Sequence, residues 1–200
     1  SGEPTIQGGV SPAAIKTLHD EAFDVEAVTK EFFAEYVKVF TSLRDHVQPH
    51  LQSRQDARDY AQQFLNRVMF LYFVQRKGWL GKDQDFLESF WKAYQRADAP
   101  RDTFVSEWLS VLFFEALNNQ FQAGRSDRQH LPEPFRTALQ MAPYLNGGLF
   151  ARNELDRAYA DAGGTLSDGL MRQAFDTFER YNFTIAEDTP LDQEVAVDPE

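Results

Sequence analysis

The sequence predicts an all-α protein, a multi-helix bundle of about five to six helices closed by a short two-stranded β tail. Apolar residues recur at spacings of three and four along most of the chain, and the period shortens to two only near the C-terminus. Aromatic residues fill 14% of 200 positions, 18 of them Phe, enough for a tightly packed core. Helix starts and stops are marked by capping side chains and by glycines.

Residues 1–22 read as a flexible N-terminal linker, because SGEPTIQGGVSP is rich in Gly, Pro and Ser and has no period. Its leading Ser-Gly fits the scar of an expression tag. From Phe23 the helical period takes over, with Asp24 placed as a cap and Phe23 and Val28 as a hydrophobic staple. Val25, Val28, Phe32, Tyr36, Phe40 and Leu43 form its stripe, and Pro49 ends it. A second helix starts at Ser53 with Asp56 three residues on. In Asn66–Phe73 its apolar residues spread round most of the circumference, the mark of a central helix. Arg76 and Lys77 suit the negative end of its dipole, and Gly78 suits a left-handed stop with Trp79 folded back on Val74.

Phe86, Leu87, Phe90, Trp91 and Tyr94 form a third stripe, stopped by Asp98-Ala99-Pro100. Val105 to Phe121 form a fourth, expected to end near Gly124. Ala123–His130 reads as an exposed loop, and Leu131–Phe150 as at most a short helix followed by an ordered turn. The last helix fits Ser167 to about Tyr181. Beyond it, Phe183 with Ile185 and Val195 with Val197 alternate as two short strands around Thr189-Pro190.

Composition excludes several chemistries. With no cysteine, disulfides, thiolate metal sites and a Cys nucleophile are ruled out. A net charge of −11 argues against nucleic-acid binding driven by overall charge. No apolar run is long enough to cross a bilayer and no signal peptide opens the chain, so a soluble, cytoplasmic protein without membrane partners is expected. His46 and His50 are four apart, but Pro49 lies between them, so two exposed helix-end histidines are expected rather than a metal pair. There is no Asp-x-Lys or Glu-x-Lys of a metal-dependent nuclease, no GxGxxG or phosphate-loop Lys, and no GxSxG. No catalytic, cofactor-binding or metal-binding residue is therefore assigned.

Charge is unevenly distributed. Residues 54–101 carry +3 and the remainder −14, so Arg76, Lys77 and Lys82 are the candidate contacts to a DNA backbone. Arg67, inside the apolar helix, is expected either to snorkel or to pair with a carboxylate such as Glu35 or Glu115, in a structural role. Asn146, Gly147 and Gly148 are the candidate corner, which would be anchored in the core by Leu149 and Phe150 and would meet DNA phosphate or a neighbouring domain.

Three strings then stand out in fixed order: FDVEAVTKEFFAEYVKVF (23–40), NRVMFLYFVQRKGWL (66–80) and YLNGGLF (144–150), followed by YNFTIAEDTPLDQEVAVDPE (181–200). The series resembles the helical spacer just ahead of the methyltransferase domain in type IIG/IIL, Eco57I-like restriction–modification enzymes and related phage-defence N6-adenine DNA methyltransferases. The resemblance implies a helical spacer over residues 23–181 and a β lead-in to a methyltransferase over 182–200. It implies partners on the same polypeptide, a methyltransferase domain and a nuclease part, with DNA bound by the parent protein. S-adenosylmethionine, and Mg²⁺ for the nuclease, would be held there and not by these residues, and an excised connector is expected. The alternatives are a DNA-backbone-binding module gripping through residues 54–101, and a free-standing helical adaptor that binds another protein through exposed aromatics.

Overall fold

A computed structural model describes residues 12–145 and 148–181, with side chains from Thr29 onward. The chain divides into two compact units, residues 1–38 and 39–200. Helix α1 (Pro12–Val47) begins at Pro12, well before the expected Phe23. Proline needs no amide at the first helical position and Ala13-Ala14 propagate well, so the helix starts here and Asp24 lies in its interior. Residues 12–22, expected as linker, are thus helical. Within the first unit Lys38 Nζ donates to Glu35 Oε1 at 2.6 Å, and the Phe32 and Tyr36 rings lie 6.0 Å apart.

In the second unit α1 ends as read, with Pro49 in the 3₁₀ turn Gln48–His50. Helix α2 (Arg54–Arg76) opens on Ser53, whose Oγ accepts the Asp56 N–H at 3.0 Å. It is the central helix: Ala57, Ala61, Leu65, Val68, Leu71 and Val74 are fully buried. Its end is a Schellman stop, with Gly78 at φ +71°, Gly78 N bonding Gln75 O and Trp79 N bonding Val74 O. The Trp79 ring lies edge-on to Phe73 at 6.1 Å and is 43% exposed.

Helix α3 (Phe86–Arg96) gets no cap from Asp85; the buried Gln75 side chain of α2 accepts the Leu87 N–H at 2.9 Å instead. The fourth stripe is not one helix. Phe104–Leu109 is π-helical, α4 is Ser110–Phe114, and Ala116–Asn118 is a 3₁₀ turn. With i→i+5 bonding, residues four and five apart share a face, so Phe104, Trp108 and Leu109 all reach the core. The segment stops at Asn119 (φ +56°) and not near Gly124, because Asn takes the left-handed position: Asn119 N bonds Ala116 O and Gln120 N bonds Glu115 O.

Helix α5 (Glu133–Gln140) is the short helix expected, while α6 (Glu154–Asp161) was not anticipated. It opens with a reciprocal capping box between Asn153 and Asp156 and closes at Gly163 (φ +72°), where Gly164 N bonds Tyr159 O. Helix α7 (Asp168–Arg180) starts at Ser167, as read.

α2 packs against α3, α6 and α7. Tyr72 meets Phe175 and Phe178 of α7, Trp91 meets Phe104 at 4.8 Å, and Phe86 meets Phe135 of α5. Each ring pair adds about 0.5–1.5 kcal/mol beyond burial. Among the described residues the fold is all-α with no strand; the two strands of the expected tail lie outside them.

Candidate functional site

The basic junction sits where α2 stops. Arg76, Lys77 and Lys82 are all exposed, and Lys82 takes φ +62° in the turn that leads to α3. Lys77 Nζ stands 5.8 Å from the centre of the Phe73 ring. The turn is held close to α5, because a Cβ on Gly81 (φ +64°) would lie 2.9 Å from that of Ala138. Arg76 opens onto a cleft of about 430 Å³ that it shares with Lys92, Asp85, Glu88 and Glu179. A phosphate approaching there meets more acid than base, whereas Lys77 and Lys82 lie outside that lining.

Two of the three acids of this cleft, Glu88 and Glu179, are tied into one network by Arg172. Arg172 donates to Glu88 at 2.8 Å, to Asp176 at 2.7 Å and to Glu179 at 3.0 Å. Burial alone would raise the Glu88 carboxyl, but hydrogen bonds from Arg172 and Lys92 hold it below its ordinary value. For Glu179 burial wins over Arg172 and the carboxyl is raised. Tyr72, itself pushed up by burial and then by Glu179, donates to it at 3.3 Å.

Of the corner candidates, Asn146 and Gly147 lie outside the described residues. Gly148 opens the 3₁₀ turn Gly148–Phe150, is exposed, and would accept a Cβ with nothing within 4 Å. Phe150 anchors the turn as expected, 2% exposed between Phe70 and Phe113 at 5.7 Å each, while Leu149 is only half-buried.

What fixes the corner is Arg67. Buried to 2% exposure, it donates from Nη1 and Nη2 to the two Asp156 oxygens at 2.7 and 2.8 Å. Nε donates to Leu149 O at 2.6 Å and Nη2 to Ala151 O at 3.1 Å. The guanidinium also lies 4.9 Å from the centre of the Phe114 ring. Asp156 in turn accepts the Asn153 N–H at 2.9 Å, and Asn153 donates to Gln63 of α2 at 2.7 Å. The partner of Arg67 is therefore neither Glu35 nor Glu115: Glu115 is held by Arg128 and Arg125. The structure links the two candidate regions, since Lys77 lies over Phe73, Phe73 over Phe70, and Phe70 over Phe150 of the corner.

The histidine pair also has a different place from the one expected. His46 and His50 are half-buried, and their ring nitrogens donate to Thr165 O at 2.7 Å and Ala162 O at 3.2 Å. They clasp the turn between α6 and α7, where the carbonyls at the end of α6 lack helical partners. Among the described residues no cluster of three or more His, Asp or Glu could hold a metal ion, and no helix is long and apolar enough to cross a membrane.

No family model matches the chain, and no solved structure matches it. One similar protein is the Methanocaldococcus jannaschii protein named "Putative type II restriction enzyme and methyltransferase". It is 24% identical, over 80% of this chain and 15% of its own length. The chain thus spans about a seventh of that relative, a distant relationship to a restriction–modification protein.

Proposed function

We propose that the chain is a non-catalytic helical connector within a restriction–modification polypeptide. In this reading the neighbouring domains methylate adenine N6 and, where a nuclease part is present, cleave DNA, while these helices set the distance and angle between them. The observation that carries the reading is the match of 80% of this chain to a small part of a restriction enzyme and methyltransferase. The buried Arg67 clamp supports it, because a connector transmits geometry only if its corners do not bend. S-adenosylmethionine and Mg²⁺ belong, in this reading, to the neighbours, and no chemical step is assigned to residues of this chain.

The test is a methylation and cleavage assay on the purified chain with S-adenosylmethionine, Mg²⁺ and mixed-sequence DNA. The proposal expects no turnover, and turnover that survives repurification refutes it. A second reading, contact with the DNA backbone, is favoured by the exposure of Arg76, Lys77 and Lys82 at one turn. It requires salt-dependent binding that Lys77→Glu with Lys82→Glu weakens, and it fails if low-salt titration shows no association.

A further inference from the structure

Beside the Arg67–Asp156 pair lies a cavity of about 140 Å³. One wall is a continuous aromatic face: the Tyr60 and Tyr159 rings stand 4.7 Å apart, Tyr60 stacks on Phe64 at 6.4 Å, and Phe64 meets Phe113 edge-on at 6.1 Å. Arg67 and Asp156 also line it. Ser106, Ser110, Phe114 and Arg152 are shared with an adjoining cleft of about 510 Å³, so the cavity has a mouth. An engineered apolar cavity of about 150 Å³ takes up benzene, so a single six-membered ring is the size of group that fits.

Two polar groups here have unused capacity. Tyr60 is 93% buried, being 7% exposed, but its hydroxyl oxygen is not among the fully buried unpartnered atoms, so it reaches the cavity surface, and no hydrogen bond ties it to another described residue. Burial, then the Tyr159 hydroxyl and the Asp156 carboxylate, push its ionisation far up, so it stays a donor. The Tyr159 hydroxyl, by contrast, is spent on Thr165 O at 2.9 Å. At the mouth the Arg152 guanidinium lies 4.6 Å from the centre of the Phe114 ring. Glu107 and Glu115 line the same outer cleft, Glu115 already held by Arg128; no described carboxylate forms an ion pair with Arg152, whose N–H groups remain available to an anion.

We infer that this cavity binds one planar, hydrogen-bonding ring joined to an anionic group, and that its ligand is a pyrimidine nucleotide. The ring would lie against this aromatic wall and accept a hydrogen bond from the Tyr60 hydroxyl, while the phosphate stays in the outer cleft on Arg152. A free mononucleotide and an unpaired strand carry the same chemistry. Choosing a nucleotide among ring-bearing anions rests on the restriction–modification reading; binding by the purified chain does not depend on neighbouring domains, so the two can fail separately.

The experiment is calorimetric titration of the full 200-residue chain with dTMP, thymidine, benzoate and an eight-residue oligothymidylate. Saturable dTMP binding is expected, with thymidine about tenfold weaker for want of the phosphate. Arg152→Ala should bring dTMP down to the level of thymidine, and Tyr60→Phe should weaken both about fivefold. Val105→Phe, which fills the cavity from its rim and keeps Tyr60 and Arg152, should abolish binding while the circular dichroism spectrum stays native. An oligothymidylate that binds more tightly than dTMP identifies the strand as the source, and equal affinity identifies the free nucleotide. The proposal is overturned if dTMP shows no saturable binding in the millimolar range, if binding is indifferent to Val105→Phe, or if benzoate binds and dTMP does not.

Discussion

Replacing Arg67 by Met keeps most of the side-chain volume and removes the charge. Asp156, 8% exposed, would lose both guanidinium hydrogen bonds and keep only the Asn153 N–H of its capping box. Leu149 O and Ala151 O would lose their donors as well. Breaking a buried ion pair from one side costs about 3–5 kcal/mol, chiefly because the surviving charge is stranded. For a protein of this size that corresponds to a fall in Tm of roughly 6–20 °C. Removing both charges, as in Arg67→Met with Asp156→Leu, strands nothing and should recover most of the loss, leaving about 1–2 kcal/mol for the carbonyls and the cap. Urea unfolding of the two single variants and the double variant closes the cycle. A cost below about 1 kcal/mol for Arg67→Met, or a double variant as unstable as the two singles added, would refute the clamp.

Other expectations follow from close approaches and from charge. A Cβ on Gly164 would stand 2.4 Å from Tyr159 Cε2, so Gly164→Ala should cost about 1–3 kcal/mol in urea unfolding. Gly148→Ala, with open space around its Cβ, should be neutral in the same assay. The Glu88 carboxyl lies below its unfolded value, so its contribution is complete above that value and is lost as pH falls through the lower folded one. Glu88→Gln should therefore cost about 1 kcal/mol at pH 7 and much less at pH 3. Glu179, raised by burial and also by the Glu88 charge, works in the opposite sense and is partly relieved in Glu88→Gln, which makes that difference smaller.

Much of the fold was legible because local signals and burial agreed. Ser53, Gly78 and Ser167 act at the helix ends where their chemistry places them, and the all-round apolar stretch of α2 is the buried centre. Legibility failed where a second-choice residue did the work. Asn119 stops its segment in the role usually given to Gly, and Asn153 with Asp156 opens a helix too short to show a period. Missing α6 also hid the partner of Arg67, since Asp156 is 89 residues away in sequence and only tertiary packing brings it near. The exposed candidates Arg76, Lys77 and Lys82 were readable from charge alone, but the acids of α3 and α7 beside Arg76 were not, because they arrive from other helices. Tyr60 and Arg152 carried no sequence signal: one sits in an apolar stripe, the other is a single loop arginine.

A connector must hold its shape, and the chain has no native cysteine to complicate labelling. The direct measurement is the spin-label distance between cysteines at Gln95, exposed on α3, and Ala160, exposed on α6 beyond the corner. The account predicts one narrow distance distribution, unchanged by DNA and broadened by Arg67→Met. A broad or multimodal distribution in the otherwise native chain would contradict it.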